Sequence, residues 1–336
     1  MLPLLIILYI VLAGVLVYLS DKLGSYIDTL DKKTKISGAF LGGVLLAAVT
    51  SLPELFTSIS ATLLVQKDEL VVGNILGSNL FNITILGACL ILFFNVFKKG
   101  KIEYKFHDFT FLGIAIVYGL IFYGLFVPEQ FQPKVGPINF LCPLMLVVYG
   151  LIIFFQPKEE ENNEEEKVDN SPLTVKQVLI RFSICAVLLV SISIAITYVT
   201  DELAERLNLG ATLAGALFLA IATSLPELVS CITLCRKRNF NAAIGDIAGS
   251  CLFNFCIIGI SEFLAYRSSL IDEMDKEAMI MAIITVICFI ILYALFLVKR
   301  FVIDKKSQEN KFSWFDMITI ITGVLIFSGY IIFLIL

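Results

Sequence analysis

Two stretches of this chain, 173 residues apart, set the same acidic pentapeptide inside apolar sequence: Thr50-Ser51-Leu52-Pro53-Glu54 and Thr223-Ser224-Leu225-Pro226-Glu227. Each is followed by a second matching block, GNILGSNLFN over 73–82 and GDIAGSCLFN over 245–254. A duplicated sequence must fold into two related halves. A carboxylate inside a membrane span is costly, faces the protein interior and marks a functional site. Two of them, each with hydroxyls one turn away and a helix-breaking proline beside it, describe a site built between the halves.

That reading needs a membrane. The chain is 58% hydrophobic and 16% charged over 336 residues, fewer charges than a soluble domain carries. Apolar runs long enough to cross a bilayer recur at 2–19, 37–66, 69–97, 107–127, 136–156, 174–200, 208–235, 240–266, 277–298 and 313–335. The first lacks basic residues before it and a small-residue cleavage site after it, so it is expected to be a retained span rather than a signal peptide. With the N-terminus outside, 20 of the 25 Lys and Arg residues fall in inside loops, as the positive-inside rule requires. Both termini are then expected outside, in a multi-pass protein of the cell membrane.

The only long polar stretch, around Glu159–Glu166, separates five predicted spans from five. It reads as a solvated linker, lacking the alternating Asp ligands and glycine of a calcium-binding loop. The expected organisation is a first five-helix repeat over 1–157, an acidic cytosolic linker over 158–173 and a second repeat over 174–336. Five is odd, so the second half starts on the opposite side of the membrane and the repeats are inverted. The expected fold class is an all-α membrane protein: ten transmembrane helices in two inverted five-helix repeats, with broken helices around a midplane ion site.

The repeats supply a consistent donor set. Thr50 and Glu54 share a helical face, with Ser51 one turn from Glu54. Pro53 and Pro226 lack the N–H that would bond the carbonyls of Val49 and Ala222; a freed carbonyl at membrane depth must line a cavity or find a partner. Ser78 with Asn82, and Ser250 with Asn254, lie four apart on one face. Gly73, Gly77, Gly245 and Gly249 form GxxxG spacings that suit close helix crossings. Carboxylates, amide oxygens, hydroxyls and carbonyls are hard donors, suited to Ca²⁺ and Na⁺ rather than zinc or copper. The single histidine, His107, stands at the start of a span, away from both motifs. The eight cysteines form no CxxC pair, so neither a zinc nor a redox site is expected, and Cys231 and Cys235 read as packing residues.

With TSLPE and GSxxFN in duplicate, the chain resembles the cation/calcium exchanger superfamily, in its Na⁺/Ca²⁺ exchanger branch, over essentially its whole length. The resemblance implies a sodium/calcium antiporter working by alternating access. The expected protein is not an enzyme, needs no cofactor beyond the transported Ca²⁺ and Na⁺, and has no nucleic-acid or evident obligate protein partner. It implies that Glu54 and Glu227 are the main ligands, that Asn82 and Asn254 complete a diamond, and that Thr50, Ser51, Ser78, Thr223, Ser224 and Ser250, with the carbonyls of Ala47 and Ala220, bind flanking Na⁺. It also implies that spans one and six slide across the other eight. Relatives that use K⁺ include some with Asp at the position of Asn254, so Asn weakens the case for K⁺ co-transport. Asp246 replaces the Asn74 of the first repeat, and is expected to start a half-helix or to face the ion path. Proton/Ca²⁺ and K⁺-dependent Na⁺/Ca²⁺ antiport are the alternatives. Proton-coupled relatives often carry a histidine in the repeat, and neither TSLPE block has one. A channel would present a pore filter, and an intramembrane protease an aspartate dyad or Ser/His pair; neither is visible.

Overall fold

The computed structural model describes residues 2–33, 50–100, 102–155, 173–265, 268–303 and 312–336. The expected acidic linker and Ala47 lie largely or wholly outside them. The first helix, α1, runs over Leu2–Lys33. After it come α2 (Leu52–Ser60), which continues into a wide π-helical turn at Ala61–Val65, then α3 (Asp68–Leu92), the short α4 (Phe94–Lys99) and α5 (Tyr104–Phe126). A two-stranded hairpin, β1 (Lys134–Val135) against β2 (Ile138–Asn139), leads into α6 (Leu141–Phe155). Gly136 opens its two-residue turn at φ +62°, a conformation that glycine adopts without steric cost. The second half holds α7 (Val175–Leu207), α8 (Ala211–Thr223), α9 (Leu225–Arg236), α10 (Phe240–Leu264), α11 (Lys276–Val298) and α12 (Phe312–Ile335).

Among the described residues seven helices are long and apolar enough to cross a membrane, and the bent pair α8–α9 makes an eighth. The helical membrane class is therefore as expected. One expected span is shorter than predicted among the described residues, and another is described only in part. Residues 37–49, the first part of segment 37–66, lie outside the described residues, and the rest holds the apolar helix Leu52–Val65. The hairpin takes up the start of segment 136–156, leaving α6 at 15 residues.

The helix ends follow local chemistry. Thr174 and Gln177 form a reciprocal capping box at the start of α7. Asn239 and Asp275 cap α10 and α11 by accepting from Ala242 N and Ala278 N. Asn208, at φ +53°, ends α7 in the left-handed conformation. Apolar-run boundaries misjudge α1, expected to end at residue 19 but continuous to Lys33. At 1.5 Å per residue it is about 48 Å long, against a hydrocarbon core of about 30 Å.

Packing sorts the helices into two classes. α3 and α10 are buried along most of their length, on nearly every face. α1 and α7 lie mainly along each other and expose broad apolar faces, including Ile7, Ile10, Ile184 and Val187. The two meet through a small separate cluster of Leu19, Leu23 and Leu189. One end of the bundle is closed by stacked and edge-on contacts of Phe97 with Phe240, Phe296 and Phe315, beside a largely buried Lys98–Asp316 ion pair at 2.7 Å.

Gly73 and Gly77 carry the α3–α8 crossing. A Cβ at Gly73 would sit 2.0 Å from the Thr212 carbonyl oxygen, and one at Gly77 2.6 Å from Ala216 Cα. At Gly245 the nearest atoms among the described residues, on Phe106 and His107, would be 3.7 and 3.9 Å away. The GxxxG expectation holds at Gly73 and Gly77; the segment that would face Gly245 by the repeat offset, around residues 39–42, lies outside the described residues.

Candidate cation site

Both acidic motifs break their helices, and they break them the same way. Ser51 has φ −90° and ψ 10°, and Ser224 has φ −90° and ψ 5°. A new helix starts one residue later in each case, with proline in its first turn. Proline is tolerated there because the first N–H groups of a helix have no intrahelical acceptor. The break therefore falls at the serine, two residues before the proline, and α8 and α9 meet at 45°. Glu54 and Glu227 sit in the first turn of the new helices, where backbone N–H groups favour negative charge.

The two breaks face each other. Ser51 Oγ donates to Glu227 Oε1 at 3.4 Å, and Ser224 Oγ donates to Glu54 Oε1 at 3.2 Å. Each half thus holds the carboxylate of the other. Glu54 is 1% exposed and Glu227 0%. The remaining oxygens, Glu54 Oε2 and Glu227 Oε2, are buried with no hydrogen-bond partner among the described residues. The same is true of Asn82 Oδ1, Asn254 Oδ1 and Ser250 Oγ.

Thr223 Oγ1 lies 3.5 Å from Ser78 Oγ and donates to the Leu219 carbonyl at 2.9 Å. Thr50 is buried beside its motif. Of the carbonyls implied as ligands, Ala47 lies outside the described residues, and that of Ala220 accepts the Ser224 N–H at 3.0 Å.

Two asparagines not expected in the site anchor it. Asn79 Oδ1 accepts from Asn254 Nδ2 at 2.9 Å. Asn74 Nδ2 donates to Thr57 Oγ1 at 3.0 Å and Ser58 Oγ at 3.1 Å, tying α3 to α2. Asn79 was hidden because its counterpart in the second repeat is Cys251, so the duplication does not flag it. Asp246, counterpart of Asn74, is 7% exposed with neither oxygen hydrogen-bonded among the described residues. It stands two turns inside α10, which begins at Phe240 under the Asn239 cap, so the expectation that it starts a half-helix is corrected. His107 is buried at the start of α5, its Nε2 2.8 Å from Asn241 Oδ1.

A third buried glutamate, Glu262, carries no such character. Its oxygens accept from Asn139 N at 2.6 Å and Leu270 N at 2.9 Å; it is a brace between loops. Cys231 and Cys235 sit in the buried core, as packing residues do, and Cys89 of α3 joins them in one buried thiol cluster.

Chemically, the opposed breaks gather oxygen donors around two carboxylates, with lone pairs buried and unpaired. Burying such groups without a partner costs several kcal/mol each, and a hard cation is the partner that satisfies several at once.

The sodium/calcium exchanger protein family matches residues 4–158 and 178–336. The Inner membrane protein YrbG of Escherichia coli (strain K12) is 28% identical over 259 residues, covering 72% of this chain and 74% of its own. The fold is similar to that of the H⁺/Ca²⁺ exchanger CAX, with a TM-score of 0.64 at 14% identity over 98% of this chain and 89% of that one. It is also similar to that of the sodium-calcium exchanger NCX_Mj, with a TM-score of 0.61 at 19% identity over 98% and 97%. Spanning both halves on either side of the mid-chain acidic run, the family match establishes that this chain belongs to the sodium/calcium exchanger protein family.

Proposed function

We propose that the protein is a Na⁺/Ca²⁺ antiporter of the cell membrane, built as two inverted five-helix repeats (1–157 and 174–336) that cross the membrane ten times in all, with both termini outside. The observation that carries this reading is the reciprocal pair of serine–glutamate hydrogen bonds. They set two carboxylates against each other, each with one oxygen unpaired among the described residues, beside amide oxygens of Asn82 and Asn254 that are likewise unpaired among them. Two carboxylates balance one Ca²⁺, and the surrounding oxygens approach the 6–8 ligands that ion takes. Several Na⁺ ions occupy the same oxygens, aided by Thr50, Ser51, Ser78, Thr223, Ser224, Ser250 and the carbonyls of Ala47 and Ala220. Competition for shared charge makes the transport an exchange. α1 and α7, packed on each other and apolar outside, are the pair that moves against the rest.

The CAX and NCX_Mj folds resemble this one about equally, so the choice of driving ion rests on the site. Its oxygen set, with His107 engaged by Asn241 at the start of α5, favours Na⁺. Proton/Ca²⁺ antiport is the second reading, and Asp246, buried with neither oxygen hydrogen-bonded among the described residues, is the observation that favours it.

The test is Ca²⁺ flux into proteoliposomes with a Na⁺, K⁺ or pH gradient as the only driving force. The Na⁺ gradient alone is expected to drive uptake. Glu54→Gln or Glu227→Gln leaves one buried charge unbalanced, and removing one partner of a buried charge pair costs about 3–5 kcal/mol. Flux is expected to fall by at least about 100-fold in folded protein. Wild-type flux in either variant overturns the site, and flux driven by a pH gradient alone overturns the choice of Na⁺.

A further inference from the structure

Cys89 near the end of α3 and Cys231 and Cys235 on α9 bring their sulfur atoms within 4.8 Å of one another, with Cys231 Sγ 3.5 Å from Cys89 Sγ. All three are buried, at 1%, 0% and 0% exposure. We propose that this trio is a second metal site, distinct from the oxygen site, which takes a thiophilic d¹⁰ divalent cation such as Zn²⁺ or Cd²⁺ as a trithiolate.

The geometry suits such an ion. With a metal–sulfur bond near 2.3 Å, three sulfurs around one ion lie about 3.8–4.0 Å apart, so the trio needs only small rotamer adjustments. The proton balance is simple: three thiols bind one M²⁺ as three thiolates and release three protons, leaving one net negative charge. The trio lies close to the surface along the chain, since Cys235 is followed directly by the exposed stretch Arg236–Asn239. Buried cysteines often serve as small apolar packing groups, but the repeat argues against that here. By the repeat offset, the equivalent positions are Ser58, Thr62 and Ser261. Hydroxyls stand at all three, so each member of the trio is a thiol where the duplicated half has oxygen. The difference converts a hard-donor position into a soft one.

The placement gives the site a consequence. Cys231 lies one turn beyond Glu227 on α9, and Cys89 two turns beyond Asn82 on α3. An ion held by all three sulfurs staples together the helices that carry the oxygen site, and exchange slows. This consequence rests on the transport reading above; the binding does not.

The experiment titrates reduced, purified, full-length protein in detergent with Cd²⁺, following the ultraviolet sulfur-to-cadmium charge-transfer absorption and the protons released. One ion per chain is expected. The signal should vanish in Cys89→Ser and Cys231→Ser and persist in Glu54→Gln, which separates the thiols from Cd²⁺ competing at the oxygens. Bound Cd²⁺ should also protect all three cysteines from alkylation, read by peptide mass spectrometry on the wild type, so the result does not depend on the variants folding. No charge-transfer band, a band unchanged in Cys89→Ser, or no protection overturns the proposal. In proteoliposomes, micromolar Cd²⁺ added with saturating Ca²⁺ should slow Ca²⁺ flux at least threefold in wild type, reversibly by chelator, but not in Cys89→Ser. Thiolate binding without slowed flux removes the staple while leaving the site.

Discussion

Gly73→Ala and Gly119→Ala make the same change inside two helices, α3 and α5, yet the structure separates them. The new methyl at residue 73 would sit 2.0 Å from the Thr212 carbonyl oxygen, where a carbon–oxygen contact normally needs about 3.3 Å. The obstacle is backbone, so no rotamer relieves it; α3 and α8 must part by about 1.3 Å. Overpacking costs about 1–3 kcal/mol, and a clash with a helix backbone belongs at the upper end. Replacing a mid-helix glycine returns about 0.5–1 kcal/mol, leaving a net loss of about 2 kcal/mol. At residue 119, on an exposed face of α5, the methyl would meet nothing within 4 Å among the described residues, so only the helix gain remains. For domains of 150–250 residues 1 kcal/mol moves Tm by about 2–4 °C, and a longer chain moves less. Gly73→Ala should therefore melt roughly 3 °C below wild type, and Gly119→Ala at or slightly above it. The assay is thermal unfolding in one detergent at one scan rate, because membrane proteins commonly unfold irreversibly. Equal losses in both variants, or none at residue 73, would refute the reasoning.

Three further outcomes follow from the same distances. Ser51→Ala and Ser224→Ala each remove one hydrogen bond to a carboxylate, worth about 1.5–3 kcal/mol at good geometry and less at 3.4 and 3.2 Å; each should raise the KM for Ca²⁺ about tenfold, and a severalfold difference between them would contradict the reciprocity. Asn254→Asp turns a donor to Asn79 Oδ1 into a carboxylate; Asn79 Nδ2, buried and unpaired, can rotate in to donate, so the variant should fold while its apparent Ca²⁺ KM shifts at least threefold, and an unchanged KM would remove Asn254 from the ligands. Lys67 bonds Asp201, which holds its ammonium pKa above the usual 10.5, and Glu205 at 3.2 Å. A raised lysine pKa contributes stability below 10.5 that is lost only as pH rises past the folded value, so Lys67→Met should lower Tm equally at pH 7 and pH 9, and less in high salt; a loss confined to one of these pH values would contradict the pairing.

What the sequence made legible depended on whether a signal was local. The break at each acidic motif was legible because proline and glutamate sit next to each other, although its true hinge is Ser51 or Ser224. The starts of α3 and α10 were placed within a residue, because charged or polar residues bound those apolar runs. α1 was not: hydropathy measures contact with lipid, whereas the helix continues past residue 19 through a charged stretch, burying Leu23 against Leu189 of α7. Asn79 and the Cys89–Cys231–Cys235 cluster were invisible for a different reason. Each depends on a partner more than 140 residues away that the repeat does not duplicate, and spacing along one helix carries no trace of it.

The reciprocity at the centre also bears on how a duplicated chain can couple its halves. If Ser51 held Glu54 and Ser224 held Glu227, each half would be electrostatically complete and could change shape alone. Instead the hinge serine of each break holds the carboxylate of the other. A rotation at Ser224 that alters the α8–α9 bend therefore withdraws a donor from Glu54, in the opposite half, and a rotation at Ser51 does the same to Glu227. On the transport reading, ion release from one carboxylate is thereby linked to the backbone state of the other repeat. Such a linkage lets a site made of two weakly symmetric halves switch as one unit.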